Sequence, residues 1–206
     1  MLPIWLKISY SAFSIVLAPV YVRQYGWGNF LWFSDIALLL GCAALWLESP
    51  LLASSQAIAI AVPESVWIVE FVLRLTAGVR IAGLTDYMFD ASIPRLVRAL
   101  SLFHLWLPPL LVWMTFRLGY DPRAFLFQTA VGSAVLIASH VLTAQEENVN
   151  WVHRVGKIGG VRALALCLVL FPLVFYLPAH LVLKAVGPAP PRLEALATGG
   201  SDRGGM

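Results

Sequence analysis

Long apolar runs alternate with short polar breaks along this chain. Six runs, at residues 2–22, 27–47, 51–75, 99–117, 123–143 and 161–183, approach or exceed the ~20 apolar residues that a helix needs to cross a bilayer. The breaks are made of turn-forming residues. Arg23 to Gly26 separates the first two runs. Glu48-Ser49-Pro50 joins the second to the third so tightly that the two predict an antiparallel hairpin. Gly119-Tyr120-Asp121-Pro122 is another tight connection. Two connections are longer. Residues 76–98 contain Gly78, Gly83, Asp86, Asp90 and Pro94, and their Tyr87-Met88-Phe89 predicts a segment dipping into the membrane interface. Residues 144–160 contain Glu146, Glu147, Asn148, Asn150 and Trp151. No internal repeat is visible. The expected fold class is all-α: a polytopic transmembrane helical bundle of about six spans over residues 1–186. A disordered tail is expected over 187–206, which begins Gly187-Pro188-Ala189-Pro190-Pro191 and ends rich in Gly.

Composition strengthens this picture. Of the 206 residues, 60% are hydrophobic and 12% charged, whereas a soluble domain carries about a quarter charged residues. The aromatic side chains (8 Trp, 6 Tyr, 11 Phe) suit belts at the two membrane interfaces. The net charge of +3 is spread along the chain and leaves no nucleic-acid footprint. Membrane lipids are the expected partners, and nucleic acid is not. Lys7 lies inside the first apolar run rather than before it, so that run reads as a retained helix and not a cleaved signal. Basic residues favour the first, third and fifth connections, which weakly assigns that side to the cytoplasm. Cys42 and Cys167 both fall in apolar runs, with neither disulfide nor zinc spacing.

Polar side chains interrupt the apolar runs where they are expensive. The second run carries Asn29, Ser34 and Asp35. In a helix starting at Trp27, Asp35 would lie ~12 Å along the axis. It is then expected to be protonated, paired or reached by a cavity. The third run carries Gln56 and Glu64 near one face, with Pro63 freeing a backbone carbonyl. Glu70 and Arg74, four apart, are expected to pair at the interface. In the fourth run Ser101, His104 and Pro108 share a face, and a neutral imidazole there suits general-base work. The Pro108-Pro109 pair predicts a kink. His140, on a stripe with Thr129 and Ser133, is a second candidate for proton transfer. Just beyond it, Asn148 or Asn150 could fold back to orient His104 or a lipid carbonyl. Asp35, Glu64, His104 and His140 are metal-ligand types without metal-ligand spacing, so no metal and no cofactor is expected. No G-x-S-x-G elbow and no phosphate-cradling glycine loop is present.

The stretch Trp27-Gly28-Asn29-Phe30-Leu31-Trp32-Phe33-Ser34-Asp35 resembles the start of the second helix in the androgen-induced-protein superfamily of six-helix membrane proteins. Ser101-Leu102-Phe103-His104-Leu105-Trp106-Leu107-Pro108-Pro109 is similar to its fourth helix, where a His stands a few residues before Pro. Gly119-Tyr120-Asp121-Pro122 and Asn148-Val149-Asn150-Trp151 resemble segments of its bacterial integral-membrane members. Members with known activity cleave or transfer fatty acyl groups, using a Thr nucleophile or, in an acyltransferase branch, a Cys. The resemblance implies Ser34 as nucleophile and His104 as its base, a lipid ester as substrate, and a multi-pass protein of the bacterial inner membrane. This chain departs from the superfamily in placing Ser at the nucleophile position. Asn29, Asn150 or the Trp32 indole would be candidate donors to an oxyanion. Two other functions stay open: a non-catalytic lipid-binding or scaffolding membrane protein, and a small proton-coupled transporter, for which Asp35 and Glu64 speak.

Overall fold

The structure is a computed structural model and describes residues 1–190. Its helices are α1 (Ile4–Tyr25), α2 (Phe33–Leu47), α3 (Pro50–Ala77), α4 (Asp86–Phe89), α5 (Arg95–Leu100), α6 (Phe103–Leu118), α7 (Ala124–Leu142), α8 (Val161–Leu170) and α9 (Leu177–Val186). Short 3-10 turns at Trp27–Leu31 and Val149–Trp151 lead into or out of these helices. A two-residue hairpin pairs β1 (Arg154–Val155) with β2 (Ile158–Gly159). The described chain is therefore all-α in its packing.

Four elements are long and apolar enough to cross a membrane: Ile4–Tyr25, Arg95–Leu118, Ala124–Leu142 and Val161–Val186. The other two apolar runs behave differently. Helix α2 is apolar but only 15 residues long. Helix α3 has 28 residues but carries Gln56, Glu64 and Glu70, all buried. It is the central helix and packs against α2, α6, α7 and α9. Ala53, Ser54, Ser55, Ala57 and Ala59 are all buried there, and such small side chains let neighbouring backbones approach closely. The outward faces are apolar instead: Ile8, Ile15 and Val16 on α1, Leu126, Ile137 and Val141 on α7, Leu181 and Val182 on α9 are exposed. Apolar surface on this scale needs an apolar solvent or a partner.

The predicted hairpin between the second and third runs is present. Glu48 adopts a left-handed conformation after α2, and the Ser49 hydroxyl accepts from the Leu52 N–H (3.3 Å) to cap α3. Pro50 opens α3, where its missing N–H costs nothing. Glu48 also accepts from the Leu2 N–H (2.9 Å) and the Lys7 ammonium (2.8 Å), which ties the start of α1 to this corner. Between α8 and α9 the ladder widens into a π turn over Phe171–Tyr176, with Pro172 inside it and Pro178 just beyond it. Neither proline can donate to the ladder. This turn delivers Tyr176 against Gly132 of α7, where an added Cβ would meet the Tyr176 hydroxyl at 2.5 Å.

The start of the expected tail packs onto the bundle. The Tyr120 N–H donates to the Pro188 carbonyl (2.7 Å). Gly119 lies so close to Pro190 that a Cβ would sit 2.5 Å from it. The rest of the expected tail, residues 191–206, lies outside the described residues.

Candidate functional site

The second helix begins later than its hydrophobic pattern predicts. A helix from Trp27 would bury Asp35 two turns deep. Instead residues 27–31 form a 3-10 turn, Trp32 is extended, and α2 starts at Phe33. Asn150 imposes the break. Its Oδ1 accepts from the Phe33 N–H (3.2 Å), its Nδ2 donates to the Leu31 carbonyl (2.7 Å), and Nδ2 also reaches the Ser139 hydroxyl (3.3 Å). One amide thus satisfies backbone groups on both sides of the discontinuity. Ser34 and Asp35 consequently sit in the first turn of α2, where backbone N–H groups lack intrahelical partners.

These residues line a cavity of about 680 Å³ at one end of the bundle. The wall is built from the end of α1 (Tyr21, Gln24, Tyr25), the start of α2 (Asn29, Trp32, Ser34, Asp35), the middle of α3 (Pro63, Glu64, Trp67) and α6 (His104). The two long connections complete it with Gly83, Leu84 and Tyr87 on one side and Glu147, Val149 and Trp151 on the other. Its outer rim is therefore made of connecting segments that all lie at the same end of the helices.

A close contact between a carboxylate and an imidazole stands on its inner wall. The His104 Nδ1 and the Glu64 carboxylate are 2.7 Å apart. Both side chains are largely buried, at 12% and 9% exposure. The imidazole stacks against Trp67 (4.7 Å between centroids) and Phe103 (4.2 Å), which fixes its plane. With Nδ1 committed to Glu64, Nε2 is the nitrogen left for other chemistry. Pro63 precedes Glu64 within an unbroken α3, so the carboxylate is presented from rigid helix rather than from loop.

Asp35 is the second carboxylate. It is 4% exposed; one oxygen accepts from Asn29 Nδ2 (3.0 Å), and the other, Oδ1, is buried without a hydrogen-bond partner. The Ser34 hydroxyl makes no protein hydrogen bond among the described residues, and no such bond joins it to His104. Asp35, Glu64 and His104 share the cavity, yet among the described residues no three His, Cys, Asp or Glu side chains converge at metal-binding distance.

The remaining candidates divide between wall and scaffold. Trp151 lines the cavity and meets Trp32 edge-to-face at 5.9 Å. Asn150 does fold back, but onto the start of α2 and not onto His104. Asn148 braces its own loop: its Oδ1 accepts from the His153 and Arg154 N–H groups (3.0 and 2.8 Å). His140 lies away from the cavity, stacked on His153 at 4.8 Å, with Nδ1 donating to the Val152 carbonyl (3.2 Å). Gln56 faces α7 instead, 3.4 Å from Gln128, although Glu64 stands only two turns further along α3.

The expected Glu70–Arg74 pair does not form. Glu70 accepts from the Ala82 N–H (2.9 Å) and from the N–H and hydroxyl of Thr85 (3.4 and 3.3 Å). Arg74 and Arg80 both clamp Asp86. The Arg74 guanidinium, with Arg80 second, holds the Asp86 carboxyl below the usual carboxylate range. Glu70 satisfies loop N–H groups instead of a neighbouring cation, because buried backbone donors need a partner. The effect is to hold the connection that carries Gly83, Leu84 and Tyr87 over the cavity.

Trp32 and Trp151 are singled out in the sequence, but the rest of the aromatic wall is not. Tyr21 and Tyr25, four residues apart on α1, were legible as one helix face. Tyr87 and Trp67 carried no signal that set them apart from interface or core residues. Comparison with protein-family models, curated proteins and solved structures finds no match to this chain.

Proposed function

We propose that this chain is a multi-pass integral membrane protein that cleaves or transfers a lipid acyl group, with Ser34 as nucleophile and His104 as base. The observation that carries the reading is the 2.7 Å contact between Glu64 and His104 on the wall of a cavity that Ser34 also lines. A carboxylate on Nδ1 fixes the tautomer that leaves Nε2 able to accept a proton. In the proposed reaction the Ser34 Oγ attacks the ester carbonyl and its proton passes to His104 Nε2. The carbon–oxygen bond to the alcohol then breaks, and that alcohol leaves with the proton from the imidazolium. Water or a second lipid alcohol would resolve the acyl-serine by the same route. The Ser34 and Asp35 N–H groups and the Trp32 indole are the donors available to the oxyanion, since the Phe33 N–H, Asn29 and Asn150 are committed elsewhere. In ligand-free sites of this kind the nucleophile–base bond is often long and tightens when substrate enters. The resemblance to the androgen-induced-protein superfamily, six spans and a bacterial inner-membrane setting belong to the same proposal.

A second reading, lipid binding without catalysis, draws on one observation: Ser34 and His104 are not hydrogen-bonded to each other. Fluorophosphonate labelling of the purified protein separates the two. Labelling that is lost in Ser34→Ala and strongly slowed in His104→Ala is the expected result. Labelling unchanged in both variants would overturn the catalytic reading.

A further inference from the structure

The lining of the cavity is chemically one-sided. Among the described residues that form it, three are carboxylates (Asp35, Glu64 and Glu147) and none is Lys or Arg. His104, the one basic side chain there, is already engaged by Glu64. Six more are Tyr or Trp: Tyr21, Tyr25, Trp32, Trp67, Tyr87 and Trp151. Two buried polar atoms on this wall have no hydrogen-bond partner among the described residues, Asp35 Oδ1 and the Tyr25 hydroxyl. A buried, unpartnered carboxylate oxygen is costly unless something compensates it.

Aromatic faces carry negative charge density and attract cations, quaternary ammonium groups above all. Carboxylates in a partly desolvated setting add to that field. An anionic ligand would find no guanidinium or ammonium group among the lining residues, and Arg80, beside Gly83, is already paired with Asp86. Each connecting segment of the rim brings one aromatic side chain to the cavity, Tyr87 or Trp151, of the kind that favours the headgroup level of a bilayer.

We infer that the cavity selects a lipid whose headgroup ends in an ammonium or quaternary ammonium group, held against Asp35 and the Tyr/Trp wall. This inference rests on the proposed reading of the cavity as a lipid-substrate chamber, and it names the class of lipid.

The test is a titration of the purified full chain in an uncharged maltoside detergent, followed by tryptophan fluorescence. Three single-chain probes of equal length are compared below their micellar concentrations: dodecyltrimethylammonium, dodecyl sulfate and dodecanol. The ammonium probe is expected to give a saturable change at concentrations at least tenfold lower than either other probe. Asp35→Asn and Tyr25→Leu are each expected to raise its half-saturation point at least fivefold. Tyr25 stands at the wall rather than in the core, so its variant remains informative if Asp35→Asn does not fold. Equal responses to the three probes, or unchanged half-saturation in the folded variants, would overturn the inference. Choline without a chain is the fourth arm, and binding as tight as the dodecyl probe would overturn the assignment to a lipid. Ser34→Ala keeps the two proposals apart. Unaltered ammonium binding with labelling equal to that of the parent would reject the catalytic reading and leave this one standing.

Discussion

Glu64 on α3 and His104 on α6 stand forty residues apart in sequence and 2.7 Å apart in space. Each removes a difficulty for the other. The carboxylate gains a hydrogen bond in a largely buried setting, and the imidazole gains a fixed tautomer and plane. Glu64→Gln is expected to preserve the fold while slowing fluorophosphonate labelling of Ser34 by about 10²–10⁴, the range typical of losing general-base assistance. A labelling rate within a factor of two of the parent would remove Glu64 from the mechanism.

Asn150 is the keystone of the α2 start. Truncation to Ala deletes its bonds to the Phe33 N–H, the Leu31 carbonyl and the Ser139 hydroxyl. At ~1 kcal/mol for each net bond, the expected loss is about 2–4 kcal/mol of stability. Thermal unfolding in detergent measures it. Since the same bonds place Ser34, labelling should fall as well, even below the unfolding transition.

Gly132 and Tyr176 report on how tightly α7 meets the π turn. A methyl group at Gly132 would lie 2.5 Å from the Tyr176 hydroxyl. Gly132→Ala is expected to cost about 1–3 kcal/mol through overpacking. Tyr176→Phe removes the obstructing oxygen, so the double variant should recover part of that loss. Strict additivity in the double-mutant cycle would show that the two positions do not press on each other.

The clamp on the 78–94 connection should be pH-dependent. Asp86 has a folded pKa depressed first by Arg74 and then by Arg80. A depressed carboxylate contributes stability that is present above its unfolded value and lost as pH falls through the folded one. The clamp's contribution is therefore full above about pH 4, the ordinary aspartate range, and is lost as pH falls from there through the lower folded value. Unfolding temperatures of the parent and of Asp86→Asn should differ near about pH 6 and draw together as pH falls below about 4. A gap that stays constant over this window would assign the effect to something other than ionisation. Because the pair is partly exposed, its size should shrink in high salt.

The longer apolar runs named their helices in advance because lipid-compatible sequence needs little else to be recognised. Glu48-Ser49-Pro50 likewise named its hairpin through local backbone chemistry alone. The start of α2 was different. Phe30, Leu31 and Trp32 are as apolar as the helix that follows, so hydropathy continued where the backbone did not. The stop came from Asn150, 119 residues away from Leu31. Glu70 failed in the same way. Its spacing to Arg74 suggested a local pair, while the unpaired N–H groups of a distant loop claimed it.

Ser34, Asp35, Glu64 and His104 stood out in the sequence because polar groups in apolar runs are conspicuous whatever surrounds them. Composition and periodicity by themselves therefore determined an all-helical chain suited to a membrane and nominated which side chains were out of place in it. Only the tertiary structure decided that these four share one cavity, that His140 and Asn148 do not, and that tyrosines and tryptophans from five separate segments close around them. The physical reason is that hydropathy is a property of each residue and its near neighbours. Convergence depends on which helix faces meet, and that is settled by packing between residues far apart in the chain.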